Sequence, residues 1–177
     1  MTDLAAPMSG EGVCAEPMAA GHRAALKAAC TEDLAVWEIF ATGFGPAEFD
    51  ASFEKIMALP WVRFVLFDAD GELVGMSCFH NIAEERQTLE IGNTYYRPRF
   101  RGSGTNRRIK AMMIKRAFDC GYRRIEFRVD ARNARSQAAM AGLGAVREGV
   151  VRADRITWTG HVRDTVLFSI LKNEWRA

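Results

Sequence analysis

The chain has 177 residues and a mass of 19.8 kDa, a size typical of one globular domain with a full hydrophobic core. Hydrophobic residues make up 49% of the sequence and charged residues 26%, proportions that exclude a disordered or fibrous chain. No apolar run approaches the roughly 18 residues that a membrane span needs, and no basic start followed by an apolar block indicates a signal peptide. We therefore expect a cytoplasmic protein without a membrane partner.

The formal net charge of +2 conceals a strong asymmetry along the chain. Residues 1–96 hold five basic and fifteen acidic side chains, whereas residues 97–124 hold ten basic side chains against the single acid Asp119. Such a basic segment indicates an anionic partner or, more simply, a solvated helix face. Four widely spaced cysteines without a CxxC pair indicate buried thiols in a reducing compartment. Neither they nor the three histidines have the spacing of metal ligands, so no metal is predicted.

Apolar periodicity, glycines and turn signals predict the order of the elements. Residues 1–12 are expected to form a loose tail, and residues 13–177 are expected to form a single domain. In chain order we predict a strand at 13–18, helices at 21–29, 34–40 and 46–59, strands at 61–67, 73–82 and 88–96, a helix at 106–120, a strand at 123–130, a helix at 136–143, and strands at 145–153 and 164–171.

The lengths of the connections decide how these strands pair. Short turns make the strands at 61–67, 73–82 and 88–96 antiparallel. The strand at 123–130 follows a helical crossover, which makes it parallel to the strand before that helix, with a right-handed connection. The sequence therefore predicts an α+β fold, with one mixed sheet of six to seven strands and helices on both faces. In such sheets, ligands bind at the carboxyl ends of the parallel strands.

A loop with two glycines joins the strand at 88–96 to the helix that follows it. It reads Arg101-Gly102-Ser103-Gly104-Thr105-Asn106. Free N–H groups at a helix N-terminus and the helix dipole favour an anion there, and glycine allows close approach of the backbone. This pattern predicts a phosphate-binding loop; the alternative is a plain glycine turn capped by Asn106. The loop has neither the ending of a Walker A motif nor the third glycine of GxGxxG.

These motifs resemble those of a known family. The loop, together with the preceding Leu89-Glu90-Ile91-Gly92, resembles the acetyl-CoA loop (Q/R-x-x-G-x-G/A) of the GNAT N-acetyltransferases. The run from Val129 to Ala145, in which Asn133 precedes a short helix, is similar to a second GNAT signature. The segments 148–152 and 163–171 resemble the branch of ribosomal-protein N-terminal (Rim-type) acetyltransferases. The resemblance extends from about Val13 to Trp175 and implies the GNAT fold.

The resemblance also implies a site for acetyl-CoA. The backbone of residues 94–96 would pair with the pantetheine arm, which Asn133 would also contact. The N–H groups of the loop would hold the pyrophosphate, and Ser136 would lie near the thioester sulfur. The residues expected to bind the cofactor are Thr94, Tyr95, Tyr96, Arg99, Arg101, Gly102, Ser103, Gly104, Thr105, Asn106, Asn133 and Ser136.

Acetyl transfer requires a base for the amine proton and a proton for the departing thiolate. By the resemblance, Glu90 is the candidate base; the alternative is an ordinary surface glutamate on an alternating strand. Many relatives have a tyrosine acid where this chain has Met140, so Ser136 becomes the candidate acid, with a helix N-cap as the alternative. Trp37 and Phe40 lie where relatives wall the acceptor cleft, although core packing explains them equally well.

The sequence thus favours an acetyl-CoA-dependent N-acetyltransferase that works by direct attack in a ternary complex. Its acceptor would be a primary amine of a protein N-terminus, a peptide or an amino-acid-like small molecule. Two alternatives stay open: a non-catalytic acyl-CoA-binding protein, and an RNA- or ribosome-associated protein that uses the basic segment 97–124. No RRM, KH or helix-turn-helix pattern supports nucleic acid as the partner. A homodimer, common in the family, is also left open.

Overall fold

One eight-stranded sheet runs through the computed structural model, which describes residues 3–176. The strands are β1 (Met8–Gly10), β2 (Val13–Pro17), β3 (Val62–Asp68), β4 (Leu73–Ala83), β5 (Thr88–Tyr96), β6 (Arg124–Asp130), β7 (Val146–Ile156) and β8 (Val162–Leu171). The helices are α1 (Arg23–Cys30), α2 (Phe49–Ala58), α3 (Thr105–Asp119) and α4 (Ala134–Gly142). The order of strands across the sheet is β1-β2-β3-β4-β5-β6-β8-β7.

The predicted mixed sheet is confirmed. Strands β5 and β6, which flank α3, are parallel, and each other neighbouring pair within the described residues is antiparallel. The sheet has eight strands rather than the six to seven expected, because β1 adds a short edge strand that the sequence pattern did not indicate. Among the described residues, no helix is long and apolar enough to cross a membrane.

Strand β1 lies inside the segment expected to be a loose tail. The two-residue turn Glu11–Gly12 folds β1 back onto β2 in the usual manner of a short hairpin, and Met8 is buried in the core. Arg116 of α3 holds the residues before β1, donating hydrogen bonds to the carbonyl oxygens of Ala6 and Pro7. The expectation of a loose tail is therefore corrected for the described part of that segment; its first two residues lie outside the described residues.

The helices cover both faces of the sheet, as expected. Helices α3 and α4 pack on one face, where Ile109 and Met113 belong to the same buried cluster as Ile91 and Phe127 of the strands. Helices α1 and α2 pack on the other face in a second buried cluster. The helix predicted at 34–40 is a short 3-10 helix at Ala35–Ile39. The helix predicted at 46–59 begins only at Phe49, because the residues before it form a turn on the carbonyl of Gly45.

The two parallel strands separate soon after they begin. Their ladder covers only residues 88–90 of β5 and 124–126 of β6. Further along β5 there is an irregularity, at which Cys78 of β4 pairs with Gly92 and Met76 pairs with Tyr95. The extra residue in β5 bends and twists the strand. The edge of residues 91–96 that faces β6 has no strand partner in the part of the chain that the structure describes. We call the resulting gap between β5 and β6 the slot.

Candidate active site

The glycine loop, residues 101–106, follows β5 after a short 3-10 helix at Pro98–Phe100 and leads into α3. Gly102 and Gly104 have φ angles of 76° and 81°, a left-handed conformation that costs side chains other than glycine free energy. Gly104 is the N-cap of α3, which begins at Thr105, so the expectation that Asn106 caps this helix is wrong. Within the described residues, no acceptor receives a hydrogen bond from the backbone N–H groups of residues 102–107.

Hydroxyl groups of the glycine loop form hydrogen bonds within it and to its neighbours. Ser103 Oγ donates to the carbonyl oxygen of Phe100 at 2.8 Å and lies 2.8 Å from Thr105 Oγ1. Arg108 of α3 donates to the same Thr105 oxygen at 3.0 Å. Asn106, the last residue of the glycine loop, has a buried Oδ1 without a hydrogen-bond partner among the described residues. The loop therefore presents a fixed set of unused N–H donors, which is what a phosphate group requires.

The two arginines expected beside the phosphates have carboxylate partners in the structure. Arg99 forms an ion pair with Glu72. Arg101 forms an ion pair with Asp33 and donates through Nε to the carbonyl oxygen of Tyr96 at 2.8 Å. Both side chains thus tie the glycine loop to the acidic first half of the chain. This placement supports a role in positioning the loop more directly than contact with an anion.

Helix α4 begins across the slot, where β6 ends. Asn133 is its N-cap, and its Oδ1 accepts a hydrogen bond from the Ser136 N–H at 3.0 Å. The alternative reading of Ser136 as the N-cap is therefore wrong, since Ser136 is the third residue of the helix. The Ser136 hydroxyl makes no hydrogen bond to the described residues. Met140 is 4% exposed and belongs to the core, so this position holds no proton donor.

Glu90 lies at the last paired position of β5, directly before the strands separate. It is only 4% exposed, unlike the surface glutamate of the alternative reading. Asn81 Nδ2 donates to its carboxylate at 2.8 Å, and His80 Nε2 and Arg128 Nε lie 3.4 and 3.5 Å from the carboxylate oxygens. Burial raises the pKa of Glu90 to about 6, against the opposing effects of the Asn81 hydrogen bond and Arg128.

His80 is a neighbour of Glu90 that the sequence analysis did not select. It faces Glu90 because the two residues are register partners in the antiparallel β4–β5 pair. Burial lowers the pKa of His80 to about 4, with Arg155, Lys110 and Arg128 acting in the same direction. Its ring occupies the space beside Gly92, where any Cβ would collide with Nε2. Gly92 therefore makes room for a neutral imidazole next to the Glu90 carboxyl group.

Lys110 was also missed, although a lysine in the apolar stripe of a helix is a visible signal. It is 3% exposed, and its Nζ donates to Thr94 Oγ1 at 2.7 Å. That oxygen lies 2.7 Å from Ser77 Oγ. The Lys110 ammonium also lies 5.7 Å from the centre of the Phe127 ring on β6. Burial lowers its pKa to about 7, opposed by Cys78 and Glu90. The side chain of Lys110 thus extends from α3 to the slot and lies between β5 and β6.

The two aromatic residues expected to wall the acceptor cleft differ in exposure. Trp37 is 1% exposed and stacks on Tyr95 with ring centres 4.8 Å apart, so it belongs to the core. Phe40 is half-buried and packs edge-on against Trp37. Trp158, in the β7–β8 turn, was not predicted; its Nε1 donates to the Trp37 carbonyl oxygen at 2.8 Å. The β7–β8 turn therefore packs against the segment that follows Trp37.

An open cavity of about 610 Å³ lies next to Glu90, on the sheet face opposite α3. Its polar lining includes Glu90 and Glu126 together with four arginines, among them Arg128. The other three arginines are Arg86, Arg123 and Arg124. Within residues 3–176, no group of three His, Cys, Asp or Glu side chains is placed to hold a metal ion. Glu90 therefore lies between this cavity and the slot.

Comparisons with known proteins identify the family and the fold. The family model of the acetyltransferase (GNAT) domain matches residues 13–146. YdaF of Bacillus subtilis (strain 168), provisionally named a ribosomal N-acetyltransferase, is 31% identical over 107 residues, which span 60% of this chain and only 57% of the length of YdaF. A Chromobacterium violaceum protein assigned to the GNAT acetyltransferases is 30% identical, with a TM-score of 0.89 over 97% of this chain and 89% of that chain. Mycobacterium smegmatis RimJ in complex with CoA-disulfide shares the fold at 23% identity, with a TM-score of 0.78 over 92% of this chain and 83% of that chain.

Proposed function

The chain belongs to the acetyltransferase (GNAT) domain family, and from that premise we propose that it transfers an acetyl group from acetyl-CoA to a primary amine. The observation that carries this proposal is the position of Glu90, whose buried carboxyl group lies where β5 and β6 separate. After β5, a short 3-10 helix at Pro98–Phe100 leads into the glycine loop. The strand and the loop would thus provide a base, an unpaired edge and an anion-binding loop in sequence, which is the order that an extended acyl donor needs.

The donor would occupy the slot and the glycine loop. Unused N–H groups at the N-terminus of α3 suit a pyrophosphate, since they combine with the helix dipole. The unpaired edge of β5 at residues 94–96 suits the amide groups of pantetheine, with Asn133 on the opposite side of the slot. Arg99, Arg101, Ser103 and Thr105 would hold the loop in shape. When bound there, acetyl-CoA would supply an activated acetyl thioester.

Glu90 would accept the proton of the attacking amine, directly or through a water molecule. Its raised pKa of about 6 leaves the carboxylate largely ionised at pH 7 and makes it a stronger base than an ordinary glutamate. His80 stays neutral in the same pH range because its pKa is about 4. Asn81 and Arg128 would hold the carboxylate on the side of the sheet that the acceptor reaches through the open cavity.

We propose the α-amine of a peptide or protein N-terminus as the first acceptor to test, with an amino-acid-like small molecule as the second. An α-amine with a pKa of about 7.8 is about one-seventh neutral at pH 7, whereas a lysine amine with a pKa of about 10.4 is far less so. A base of moderate strength therefore suits the α-amine. The name of the relative YdaF supports a ribosomal acceptor, and such an acceptor would place the protein in the cytoplasm.

The basic segment 97–124 supports nucleic-acid binding less than its charge suggests. Lys110 is buried, and Arg116 donates to backbone carbonyl oxygens. Most of the other basic side chains have acidic partners, which are Glu32 for Arg97, Glu72 for Arg99, Asp33 for Arg101, Asp119 for Lys115 and Glu148 for Arg124. Since much of the positive charge is neutralised within the molecule, we rank acetyl transfer ahead of RNA binding.

Isothermal titration with acetyl-CoA, with CoA and ATP as controls, tests the donor site first. We expect micromolar binding of acetyl-CoA without comparable binding of ATP, because the slot would recognise the pantetheine arm as well as the phosphates. Release of CoA thiol in the presence of short peptides and amino acids would then identify the acceptor. Absence of acetyl-CoA binding would refute the proposed function, and binding without turnover on any amine would favour the non-catalytic acyl-CoA-binding alternative.

A further inference from the structure

Lys110 is a buried cation that the proposed base chemistry does not use. It comes from α3, on one side of the sheet, and its Nζ reaches Thr94 of β5 and the ring of Phe127 on β6. These two strands are the walls of the slot. Within the described residues, Thr94 Oγ1 accepts one hydrogen bond from the ammonium, and the other two N–H donors of Lys110 have no acceptor. The ammonium therefore has two unused N–H donors between β5 and β6.

The titratable groups around Lys110 come from β4 and β5, whereas β6 contributes only the ring of Phe127. Cys78 and His80 belong to β4, and Glu90 belongs to β5; each interacts electrostatically with Lys110. Glu90 and His80 lie on the opposite face of the sheet, so their interaction with Lys110 acts across the slot. The titratable carboxyl group of Glu90 and the titratable amine of Lys110 thus lie on opposite faces of the sheet beside the slot. Acid–base pairs in such contrasting environments are typical of sites that move two protons.

We propose, on the basis of the proposed function, that Lys110 donates the proton that the thiolate of CoA takes up as it leaves. The amine nitrogen of the acceptor forms a bond to the carbonyl carbon of the acetyl thioester, and the carbon–sulfur bond breaks. Glu90 takes up the proton lost by the amine, and Lys110 gives one proton to the sulfur. The products are an acetylated amine and CoA thiol, and solvent returns a proton to Lys110 and removes one from Glu90.

Acidity supports this assignment. Burial lowers the pKa of Lys110 to about 7, which makes the ammonium acidic enough to protonate a departing thiolate, since a free thiol has a pKa of about 8.5. The other nearby donors fit less well. Tyr96 OH is buried, and burial raises its pKa strongly. The Ser136 hydroxyl is a far weaker acid than either group, and Met140 has no proton to give.

The test measures the thiol pKa of bound CoA, from the ultraviolet absorbance of the thiolate, in wild type and in Lys110→Met. In the wild type, we expect the bound thiol pKa to lie at least about one unit below that of free CoA, because the ammonium stabilises the thiolate. In Lys110→Met, the bound thiol pKa should return to that of free CoA or rise above it. Thr94→Val, which removes the anchor of the ammonium but keeps the lysine, should give an intermediate value.

Steady-state kinetics are the second part of the test. Lys110→Met should lower kcat about 100-fold while changing the dissociation constant for acetyl-CoA less than about threefold. The matched control is Lys115→Met on the same helix, where the side chain is 70% exposed and both quantities should stay as in wild type. In Ser136→Ala, the bound thiol pKa should also stay as in wild type. A lowered thiol pKa that depends on Ser136 would assign the proton donation to Ser136 instead.

The outcomes separate this proposal from the proposed function. A wild-type protein that binds and uses acetyl-CoA, combined with a Lys110→Met variant that has an unchanged bound thiol pKa and an unchanged kcat, refutes only the role of Lys110. A wild-type protein that binds neither CoA nor acetyl-CoA refutes both.

Discussion

The glycine loop and the slot are the two halves of one site, but they are built in different ways. The donors of the glycine loop are backbone N–H groups, set by the left-handed conformation of Gly102 and Gly104. The groups of the slot are side chains from elements far apart in the chain, among them Glu90 of β5 and Lys110 of α3, and both are almost completely buried. A loop of this kind needs only a local conformation, whereas the slot needs burial, register and the separation of two strands.

This difference has consequences for stability. The glycine loop satisfies its own hydroxyl groups, and its N–H donors have no acceptor among the described residues, so it places little demand on the rest of the fold. The slot removes a carboxyl group and an amine from water, and burial shifts the pKa values of both towards neutrality. Burying ionisable groups opposes folding. We therefore expect substitutions in the loop to affect binding, and substitutions in the slot to affect catalysis and stability.

The largest effect should come from Glu90→Gln in the slot. We expect kcat at pH 7 to fall by about 100-fold or more because the base is lost, with little change in acetyl-CoA affinity from titration calorimetry. In wild type, kcat should rise with pH through an apparent pKa of about 6, and this acid limb should be absent from the variant. Glu126→Gln, at the register partner of Glu90 on β6, is the control. Equal turnover in wild type and Glu90→Gln would remove Glu90 from the role of base.

In the glycine loop, Gly104→Val should abolish acetyl-CoA binding or weaken it at least about 30-fold. The added Cβ would meet no atom within 4 Å, so the effect would arise from the positive φ angle, which a β-branched residue resists. Gly121→Val is a matched control, since Gly121 has a φ angle of 96° and equally open surroundings but lies at the other end of α3. If both variants kept the wild-type dissociation constant, the pyrophosphate would not bind at this loop.

Lys110→Met should stabilise the folded protein although it lowers kcat. The pKa of Lys110 is about 7 in the folded state and about 10.4 in an unfolded chain, so unfolding takes up protons between these values. At pH 7 the lysine therefore opposes folding by about 2–4 kcal/mol, and its replacement should raise Tm by about 5 °C or more. The gain should shrink as the pH approaches 10. Thermal unfolding at pH 7 and 9.5 checks this, and a lower Tm at pH 7 would contradict it.

The smallest effect should come from Asp33→Asn, which removes the partner of Arg101 beneath the glycine loop. We expect a loss of about 1 kcal/mol in the free energy of unfolding at pH 7 and less than about a threefold change in acetyl-CoA affinity. The hydrogen bond from Arg101 lowers the pKa of Asp33, so this stabilisation is present at neutral pH and is lost as the pH falls below about 4. Denaturant unfolding with Asp70→Asn as an exposed control measures it. A loss of acetyl-CoA binding as large as in Gly104→Val would show that the side-chain anchor, and not the backbone, determines the loop.

The local features of this protein follow from patterns of neighbouring residues. It specified the crossover from β5 through α3 to β6, and therefore the parallel pair, because apolar periodicity and connection length depend only on nearby residues. It also located the glycine loop, since two glycines before a helix define a backbone conformation without help from distant segments. Glu90 was selected by resemblance to the family, but its burial was not predicted.

Contacts between residues that are distant in the chain depend on how the segments pack. His80 faces Glu90 through the register of β4 and β5, and Lys110 reaches the slot because α3 packs beneath it. Arg101 was expected beside a phosphate and is paired with Asp33, which lies far from it in sequence. The strand β1 was missed because three residues carry almost no periodicity and depend on β2 and Arg116 for their order. Pairing, burial and pKa shifts are properties of contacts between segments, so a pattern of neighbouring residues cannot specify them.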